Sequence, residues 1–352
     1  MTSGAIPVRD EDAFDVASFH RWVLATAPDI ADGADGPPAV EQFPGGASNL
    51  TYLIHYPAGD VVLRRPPLGH KAKSAHDMGR EVTVQRHLRE SYPLVPLVHG
   101  FCEDDSVIGG DFYVMERIPG VILRRDLPDG VTLTPTQSRT LAETIIDAQA
   151  DLHALDPGAV GLDGLGRGPG YVGRQVSGWS RRYRDSRTDD VPDAEDVMGW
   201  LDAHQPPDVG ASLIHGDWRF DNLVLDLADP PRIVGVLDWE MATVGDPLMD
   251  LGASLAYWTQ ADDDPLFQAL RRQPTHLPGM PTRQEYVDRY LARSGIDLDD
   301  WTFYEVFGLF RLAVILQQIW YRYRLGQTTN PAFAQLGMAT TLLVDRARAR
   351  TA

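Results

Sequence analysis

The sequence predicts an α+β protein with two lobes: a small first lobe with an antiparallel sheet and one main helix, and a larger, mostly helical second lobe. The chain has 352 residues, which is long enough for two hydrophobic cores and too long for one small domain. Short β-prone runs mark the first lobe, and a long run at helical spacing opens the second. We expect an N-terminal extension over residues 1–38 that carries a short helix at residues 15–25 and is not a core element. A first lobe over 39–117 and a second lobe over 118–352 follow it.

The most informative stretch of the second lobe is residues 215–222, which read His-Gly-Asp-Trp-Arg-Phe-Asp-Asn. Asn222 follows Asp217 after four intervening residues, as in a kinase catalytic loop. In such a loop the aspartate takes the proton of the acceptor. Asn222, together with Asp238, would hold Mg²⁺ on nucleotide phosphates, because this cation prefers oxygen ligands and takes few carboxylates from protein.

Two short β-prone runs connect these predicted metal ligands. Residues 223–225 and 233–237 are separated by a segment with the turn signal Asp-Pro-Pro, so a hairpin is expected. If the runs pair antiparallel, Asn222 and Asp238 lie at the same end of the hairpin. The spacing therefore predicts one magnesium site made from both residues.

The first lobe contains a strand and a helix that suit the same chemistry. Residues 61–64 alternate as in a strand, which puts Val62 and Arg64 on one face. Kinases place a small apolar residue against adenine on such a strand, and a cation two positions later at the phosphates. Glu81, in a helix-like stretch from about residue 75 to 88, is the expected partner of Arg64. The alternative is a solvent-facing glutamate and a snorkelling arginine.

Residues 112–120 form a buried-looking strand that ends in a chain reversal. This segment is predicted to be the hinge between the lobes. Backbone groups of Glu116 and Ile118 would hold adenine there, with the side chain of Met115 behind it.

A glycine-bearing turn lies between extended segments within residues 43–54. It includes Ser48 and Asn49, whose backbone and side-chain groups are candidate donors to phosphate oxygens. A plain β-turn is the alternative, because the three-glycine spacing of protein kinases is absent.

Arg219, two positions after Asp217, is a candidate cation for the transferring phosphoryl group, whose charge such a residue neutralises. The alternative is a structural salt bridge to Asp221 or Asp246. Asp246 and Asp250 are expected to brace the catalytic loop, and His153 to be a structural hydrogen-bonding residue.

Charge and composition narrow the classes of partner. The chain has 32 basic and 50 acidic residues, a formal net charge of −18, which disfavours nucleic acid as a partner. No signal peptide is evident, and no uncharged apolar run approaches the roughly 18 residues of a membrane span. We expect a cytoplasmic protein, a monomer or homodimer, with Cys102 as a buried apolar residue.

A local basic cluster stands out in this acidic chain. Five arginines surround Trp179, namely Arg174, Arg181, Arg182, Arg184 and Arg187. The cluster either binds an anionic acceptor, such as a phosphate-bearing coenzyme A ester, or is a solvated helix face. In the second case the arginines would pair with Asp185, Asp189 and Asp190.

Together these motifs resemble the aminoglycoside phosphotransferase family of kinase-like enzymes, and within it the branch found fused to acyl-CoA dehydrogenases. The resemblance rests on residues 215–222, 236–240, 245–247 and 250–252, with Gly46, Ser48, Asn49 and Arg64 in the first lobe. It covers about residues 40–330.

The resemblance implies a bilobal protein-kinase-like fold, ATP or GTP as phosphate donor, Mg²⁺, and transfer to a hydroxyl of a small molecule. The acceptor would be aminoglycoside-like or hydroxyacyl-CoA-like. Carried over by position, Asp217 is the catalytic base, Asn222 and Asp238 are metal ligands, and Arg64 with Glu81 orients phosphate. This chain departs from protein kinases in having Arg64 in place of lysine. The other class of function is a nucleotide-binding pseudokinase with a regulatory role.

Overall fold

The computed structural model describes residues 4–44, 49–67 and 77–351, and the chain forms two compact units. The first unit spans residues 1–120 together with 234–240, and the second spans 121–233 and 241–352.

The first unit is built on a six-stranded antiparallel sheet with the strand order β1-β2-β3-β4-β6-β5. Its strands are β1 (Ile6–Pro7), β2 (Ala39–Gln42), β3 (Leu50–Tyr56), β4 (Gly59–Arg65), β5 (Val98–Cys102) and β6 (Phe112–Glu116). Its helices are α1 (Val16–Thr26), α2 (Met78–Leu88) and the short α3 (Asp105–Ile108).

The central strands β4 and β6 carry the predicted nucleotide residues. Their antiparallel register places Val62 opposite Met115 and Arg64 opposite Tyr113. Helix α2 begins at Met78, because Asp77 caps it by accepting the backbone N–H of Arg80 at 2.9 Å. The predicted strand and helix of the first lobe are therefore present.

The N-terminal segment is part of the core, which corrects the prediction of an extension that is not a core element. Phe19 and Val23, on the inner face of α1, are fully buried in one cluster with residues of β3, β4 and β6. The guanidinium of Arg65 donates to the backbone oxygen of Asp12 at 2.6 Å and so ties the segment to β4. The apolar spacing inside α1 indicates a helix with one apolar face, but it does not indicate which strands that face contacts.

The second unit is mainly helical. Its helices are α4 (Pro135–His153), α5 (Tyr171–Ser186), α6 (Glu195–Ala203), α7 (Pro247–Leu255), α8 (Pro265–Leu270), α9 (Arg283–Ser294), α10 (Thr302–Arg324) and α11 (Leu336–Arg350). Two small sheets accompany them, formed by β7 (Ser212–Ile214) with β10 (Thr243–Gly245) and by β8 (Leu223–Asp226) with β9 (Arg232–Val236). The β8–β9 pair is the predicted hairpin, and the division into units falls inside β9.

Helices α7 and α10 form the centre of the second unit. They cross at Gly252 and Gly308, where a Cβ on Gly308 would lie 2.0 Å from the Gly252 carbonyl oxygen. Helix α10 is long and apolar enough to cross a membrane, yet 72% of its apolar stretch is buried in the protein, as in a core helix. This close crossing holds α7, which carries Asp250, in place.

We predict that Phe19→Ala lowers the free energy of unfolding by about 3–5 kcal/mol, since it removes a fully buried aromatic ring. Leu24→Ala is the control, because Leu24 lies on the same helix with 49% of its surface exposed. Urea unfolding of both variants measures the difference. Equal stability of the two variants would show that α1 is dispensable to the core.

Candidate active site

In the first unit, Arg64 links two carboxylates. Its Nη1 donates to Oε1 of Glu81 at 2.7 Å, and its Nη2 donates to Oδ1 of Asp238 at 2.9 Å. Strand β4 supplies Arg64 and helix α2 supplies Glu81, while Asp238 follows β9. The structure thus forms the predicted Arg64–Glu81 pair and adds Asp238 to it.

Burial makes the charges of these three side chains costly unless they are paired with one another. The side chain of Glu81 is fully buried, that of Arg64 is 10% exposed and that of Asp238 is 34% exposed. Burial disfavours the charge on Arg64, but Tyr113, Glu81 and Asp238 outweigh it and hold the pKa of Arg64 well above its usual range. Burial raises the pKa of Glu81, and Arg64 opposes that shift. Arg64 is therefore the counter-charge of the buried Glu81.

Asp238 adopts a backbone conformation that is rare for a residue with a side chain. Its φ angle is +69°, in the left-handed region, directly before a single 3-10 turn at Trp239–Met241. Glu240 in that turn accepts a hydrogen bond from Nδ2 of the buried Asn49 at 2.9 Å. Asn49 thus has a protein partner, whereas Ser48 lies outside the described residues.

The other predicted nucleotide residues lie on β4 and β6 and just beyond. Val62 and Met115 are buried in one cluster with Met78 and Val82 of α2. The backbone N–H of Glu116 donates to the carbonyl oxygen of Leu97 at 2.8 Å, which holds β6 against the preceding segment. Ile118 lies two residues after the end of β6, and its predicted role at the hinge stays a prediction.

In the second unit, two donors hold the carboxylate of Asp217. Nδ2 of Asn222 lies 2.9 Å from Oδ2 of Asp217, and Nε of Arg219 lies 3.0 Å from the same oxygen. Asn222 also donates to the Asp217 backbone oxygen at 2.8 Å. These bonds orient the carboxylate, and within the described residues none of them engages Oδ1.

Arg219 bridges two acids and packs on an aromatic ring. Its Nη1 lies 3.2 Å from Oδ2 of Asp221, and its guanidinium lies 5.3 Å from the ring centre of Tyr257. Burial opposes its charge, but Asp217, Tyr257 and Asp221 outweigh burial and raise the pKa of Arg219. The predicted alternative, a salt bridge to Asp221, forms; the contact to Asp246 does not occur among the described ion pairs.

A buried carboxylate fixes the loop that carries Asp217. Oδ1 of Asp250 accepts the backbone N–H of Gly216 at 2.9 Å, and Oδ2 lies 3.1 Å from Nε2 of His153. The Tyr290 hydroxyl lies 2.6 Å from the other ring nitrogen of His153. Burial alone would raise the pKa of Asp250, but His153, His215 and Arg311 lower it below its usual value. Both Asp250 and His153 therefore have the structural roles expected of them.

The predicted bracing role of Asp246 differs in detail. Asp246 caps α7 by accepting the backbone N–H groups of Leu248 and Met249, and it also accepts that of Val209 at 2.7 Å. It therefore stabilises the start of the helix that presents Asp250.

Arg311 is a residue that the sequence did not single out. Its Nη2 donates to the Gly216 carbonyl oxygen at 2.6 Å, so the Gly216 peptide is held from both sides. Gly216 has φ of +82°, and a Cβ there would lie 2.9 Å from the Met241 carbonyl oxygen, so this position requires glycine. The only available signal for Arg311 was one cation in an otherwise apolar stretch of α10.

The basic cluster around Trp179 lies largely on an exposed helix face, as in the alternative prediction, but the described ion pairs do not join it to Asp185, Asp189 or Asp190. Arg324 holds Asp189 and Asp190, and Arg184 pairs with Glu195. Arg174 donates instead to backbone oxygens of the loop before α5.

Comparison with known proteins gives a consistent result. The sequence model of the phosphotransferase enzyme family matches residues 39–286. Acyl-CoA dehydrogenase family member 10 of Mus musculus is 34% identical over 342 residues, which are 97% of this chain and 31% of that protein. The chain therefore spans about a third of the length of this curated relative.

Two solved structures share the fold. A crystal structure of a candidate aminoglycoside phosphotransferase from Ralstonia eutropha is 30% identical, with a TM-score of 0.80 and coverage of 96% of this chain and 98% of that one. Choline kinase from Cryptosporidium parvum matches at 10% identity with a TM-score of 0.61, covering 95% and 96% of the two chains. These neighbours confirm the predicted α+β kinase-like fold.

We predict that Arg64→Met destabilises the protein by about 3–5 kcal/mol at pH 8, because it leaves the fully buried Glu81 without a counter-charge. Without Arg64, the folded-state pKa of Glu81 exceeds its unfolded value of about 4.3, so stability falls as pH rises between the two values. Urea unfolding should show a smaller loss at pH 5. Arg64→Met/Glu81→Gln is the control and should abolish the extra loss at pH 8; a loss that ignores both pH and Glu81→Gln would contradict this assignment.

Proposed function

This chain belongs to the phosphotransferase enzyme family, and from that premise we propose that it moves the γ-phosphoryl group of ATP or GTP to a hydroxyl of a small molecule, assisted by Mg²⁺. The family and the branch related to acyl-CoA dehydrogenases are those that the sequence motifs indicated. The chain is a small-molecule kinase, and the nucleotide, the metal and the acceptor are the parts that we propose.

The orientation of Asp217 carries the proposal. Arg219 and Asn222 both bind Oδ2, which leaves Oδ1 to accept the proton of an acceptor hydroxyl. As the proton moves to Oδ1, the hydroxyl oxygen forms a bond to the γ-phosphorus, and the bond from that phosphorus to the β-phosphate oxygen breaks. Asp217 is the base in this step. Arg219 orients it and brings a positive charge close to the reacting groups.

The first unit would bind the nucleotide. We assign phosphate contacts to Arg64, which Glu81 holds in place, and to Asn49, with Ser48, which lies outside the described residues, as the other predicted donor. Adenine or guanine would lie at the hinge, against Val62 and Met115, with the backbone of Glu116 and Ile118 as hydrogen-bonding groups. A pseudokinase has no need for all of Asp217, Asn222 and Asp238, so their presence favours the enzyme.

The residues proposed as metal ligands suit Mg²⁺. The described hydrogen bonds of the Asn222 side chain all use Nδ2 and none uses its oxygen, and the Asp238 carboxylate is partly exposed. An amide oxygen and a carboxylate are ligands that Mg²⁺ accepts, and this cation takes few carboxylates from protein. Bound Mg²⁺ would neutralise phosphate charge.

The similar proteins suggest two classes of acceptor. One is named a candidate aminoglycoside phosphotransferase, and the other belongs to the acyl-CoA dehydrogenase family. An aminosugar is a cation and an acyl-CoA is an anion, so the charge around Asp217 can distinguish them.

We predict that Asp217→Asn lowers kcat by about 10²–10⁴-fold, the usual contribution of a positioned base, while nucleotide affinity is retained. Phosphate transfer to a panel of hydroxyl compounds, followed with labelled ATP, measures this loss. Asp226→Asn is the control, because Asp226 pairs with the exposed Arg232 on the hairpin. Wild-type protein that binds nucleotide and phosphorylates no hydroxyl compound would rule out the enzyme.

We expect Asp238→Asn to act on binding instead. Affinity for Mg-ATP should fall by about tenfold or more, since loss of even an indirect metal-site group has that effect. Affinity for ATP in the presence of a chelator should change much less. Calorimetric titration of Asp238→Asn and Asp217→Asn under both conditions tests the two roles, and identical behaviour of the variants would show that the roles are wrong.

A further inference from the structure

The connection between α8 and α9 contains a buried glutamine that bonds to two other segments of the second unit. Oε1 of Gln273 accepts the backbone N–H of Phe220 at 2.7 Å, and its Nε2 donates to the backbone oxygen of Tyr257 at 3.1 Å. Because a backbone N–H can only donate and a carbonyl oxygen can only accept, these contacts use both halves of the side-chain amide. Gln273 therefore joins the catalytic loop to the segment that follows α7.

Both segments joined by Gln273 contact the same guanidinium group. Phe220 follows Arg219 directly in the chain, and the ring centre of Tyr257 lies 5.3 Å from the guanidinium of Arg219. Nε of that guanidinium lies 3.0 Å from Oδ2 of Asp217. Burial raises the pKa of Tyr257 and the charge of Asp217 raises it further, so a neutral ring attracts the cation.

A separate set of contacts fixes the Tyr257 segment. The hydroxyl of Thr275 donates to the Thr259 backbone oxygen at 2.8 Å and accepts the Thr259 N–H at 3.1 Å, and both threonines are buried. Nη1 of Arg283 donates to the Trp258 backbone oxygen at 2.8 Å. Gln273 thus links the catalytic loop to a segment that is itself held by two other side chains.

The catalytic loop is consequently attached at two places. Before the proposed base, Asp250 and Arg311 bind the Gly216 peptide from both sides. After it, Gln273 binds the N–H of Phe220. Loss of the second attachment would leave the first in place and would free the part of the loop that carries Arg219.

We propose that Gln273 is a positioning residue: by holding Phe220 and Tyr257 together, it keeps the guanidinium of Arg219 against Asp217. This inference rests on the proposed kinase activity, in which Arg219 orients the base. A small displacement of a positioned group slows a reaction strongly, whereas the nucleotide contacts that we assign lie in the first unit. The effect of Gln273 should therefore be found in kcat and not in the KM for Mg-ATP.

The isosteric variant Gln273→Glu tests this role through pH. A protonated glutamic acid accepts from Phe220 and donates to the Tyr257 oxygen as glutamine does, whereas its carboxylate can only accept. Burial raises the pKa of such a group above its unfolded value of about 4.3, so the donor is present at low pH and is lost as pH rises through the raised pKa. We expect the ratio of variant to wild-type kcat to fall by about tenfold between pH 5.5 and pH 8.5, with an unchanged KM for Mg-ATP.

Gln335→Glu is the matched control, because Gln335 is exposed at the start of α11. Its kcat should stay within about twofold of wild type at both pH values, as for most surface substitutions. Each rate is compared with that of wild type at the same pH, since the other charged groups near this contact are common to all variants. They are Asp217, Arg219, Asp221 and Arg311 around Tyr257, and Arg271 and His276 on the segment of Gln273.

Two further measurements test the contact without an added carboxylate. Tyr257→Leu should have a kcat about tenfold or more below that of Tyr257→Phe, because only phenylalanine keeps the ring that holds Arg219. Gln273→Met removes both hydrogen bonds and should accelerate hydrogen exchange at the Phe220 amide, since protection of an amide depends on local opening. Mass spectrometry of peptides across residues 218–222 measures this exchange and needs no catalysis.

The outcomes separate this proposal from the proposed function. A kcat loss in Gln273→Glu that is absent, or that is equal at both pH values, would overturn the role of Gln273. Equal kcat of Tyr257→Leu and Tyr257→Phe would contradict it as well, since the ring would then have no part. Wild-type protein that binds Mg-ATP and phosphorylates no hydroxyl compound removes the kinase activity. In that case faster exchange at Phe220 in Gln273→Met still supports the attachment of the loop, and unchanged exchange overturns it.

Discussion

The site in the second unit depends on one buried carboxylate. Asp250 is nearly inaccessible to water, and it remains charged because His153, His215 and Arg311 surround it. Its carboxylate accepts the Gly216 backbone N–H, and Gly216 precedes Asp217, the proposed base. A buried charge is stable only where hydrogen-bond donors and opposite charges surround it. The conformation of residues 215–217 therefore depends on the packing of the helices that supply these partners.

In the first unit the buried charge that needs partners is positive. Arg64 is buried with Glu81 behind it and the more exposed Asp238 beside it. Lysine, the usual residue at this position in kinases, has a single charged nitrogen, whereas the planar guanidinium can bind two carboxylates at once. Substitution of arginine for lysine therefore adds a second contact at the same position, and Asp238 is the residue that receives it.

Arg182 and Arg184 show that the surroundings of a charge matter more than its contribution to the net charge. Both are on α5 and both contribute equally to the formal net charge of −18. One has a carboxylate partner and the other has an aromatic ring and two further arginines.

The sequence by itself predicted the β8–β9 hairpin and the pairing of Arg64 with Glu81, both of which the structure forms. It also marked Asp217 and Asn222 as the candidate catalytic residues, because their spacing and residue types have few chemical uses. Helix α1 was recognisable, but its burial was not, because burial depends on contacts with strands far along the chain. Only the tertiary structure decided that Arg311 holds Gly216, that Arg219 binds Asp217, and that Arg182 forms no ion pair in the part of the chain that the structure describes. The physical reason is that an electrostatic contact depends on the distance between two groups in space. The two residues can lie far apart in the sequence, where no local pattern relates them.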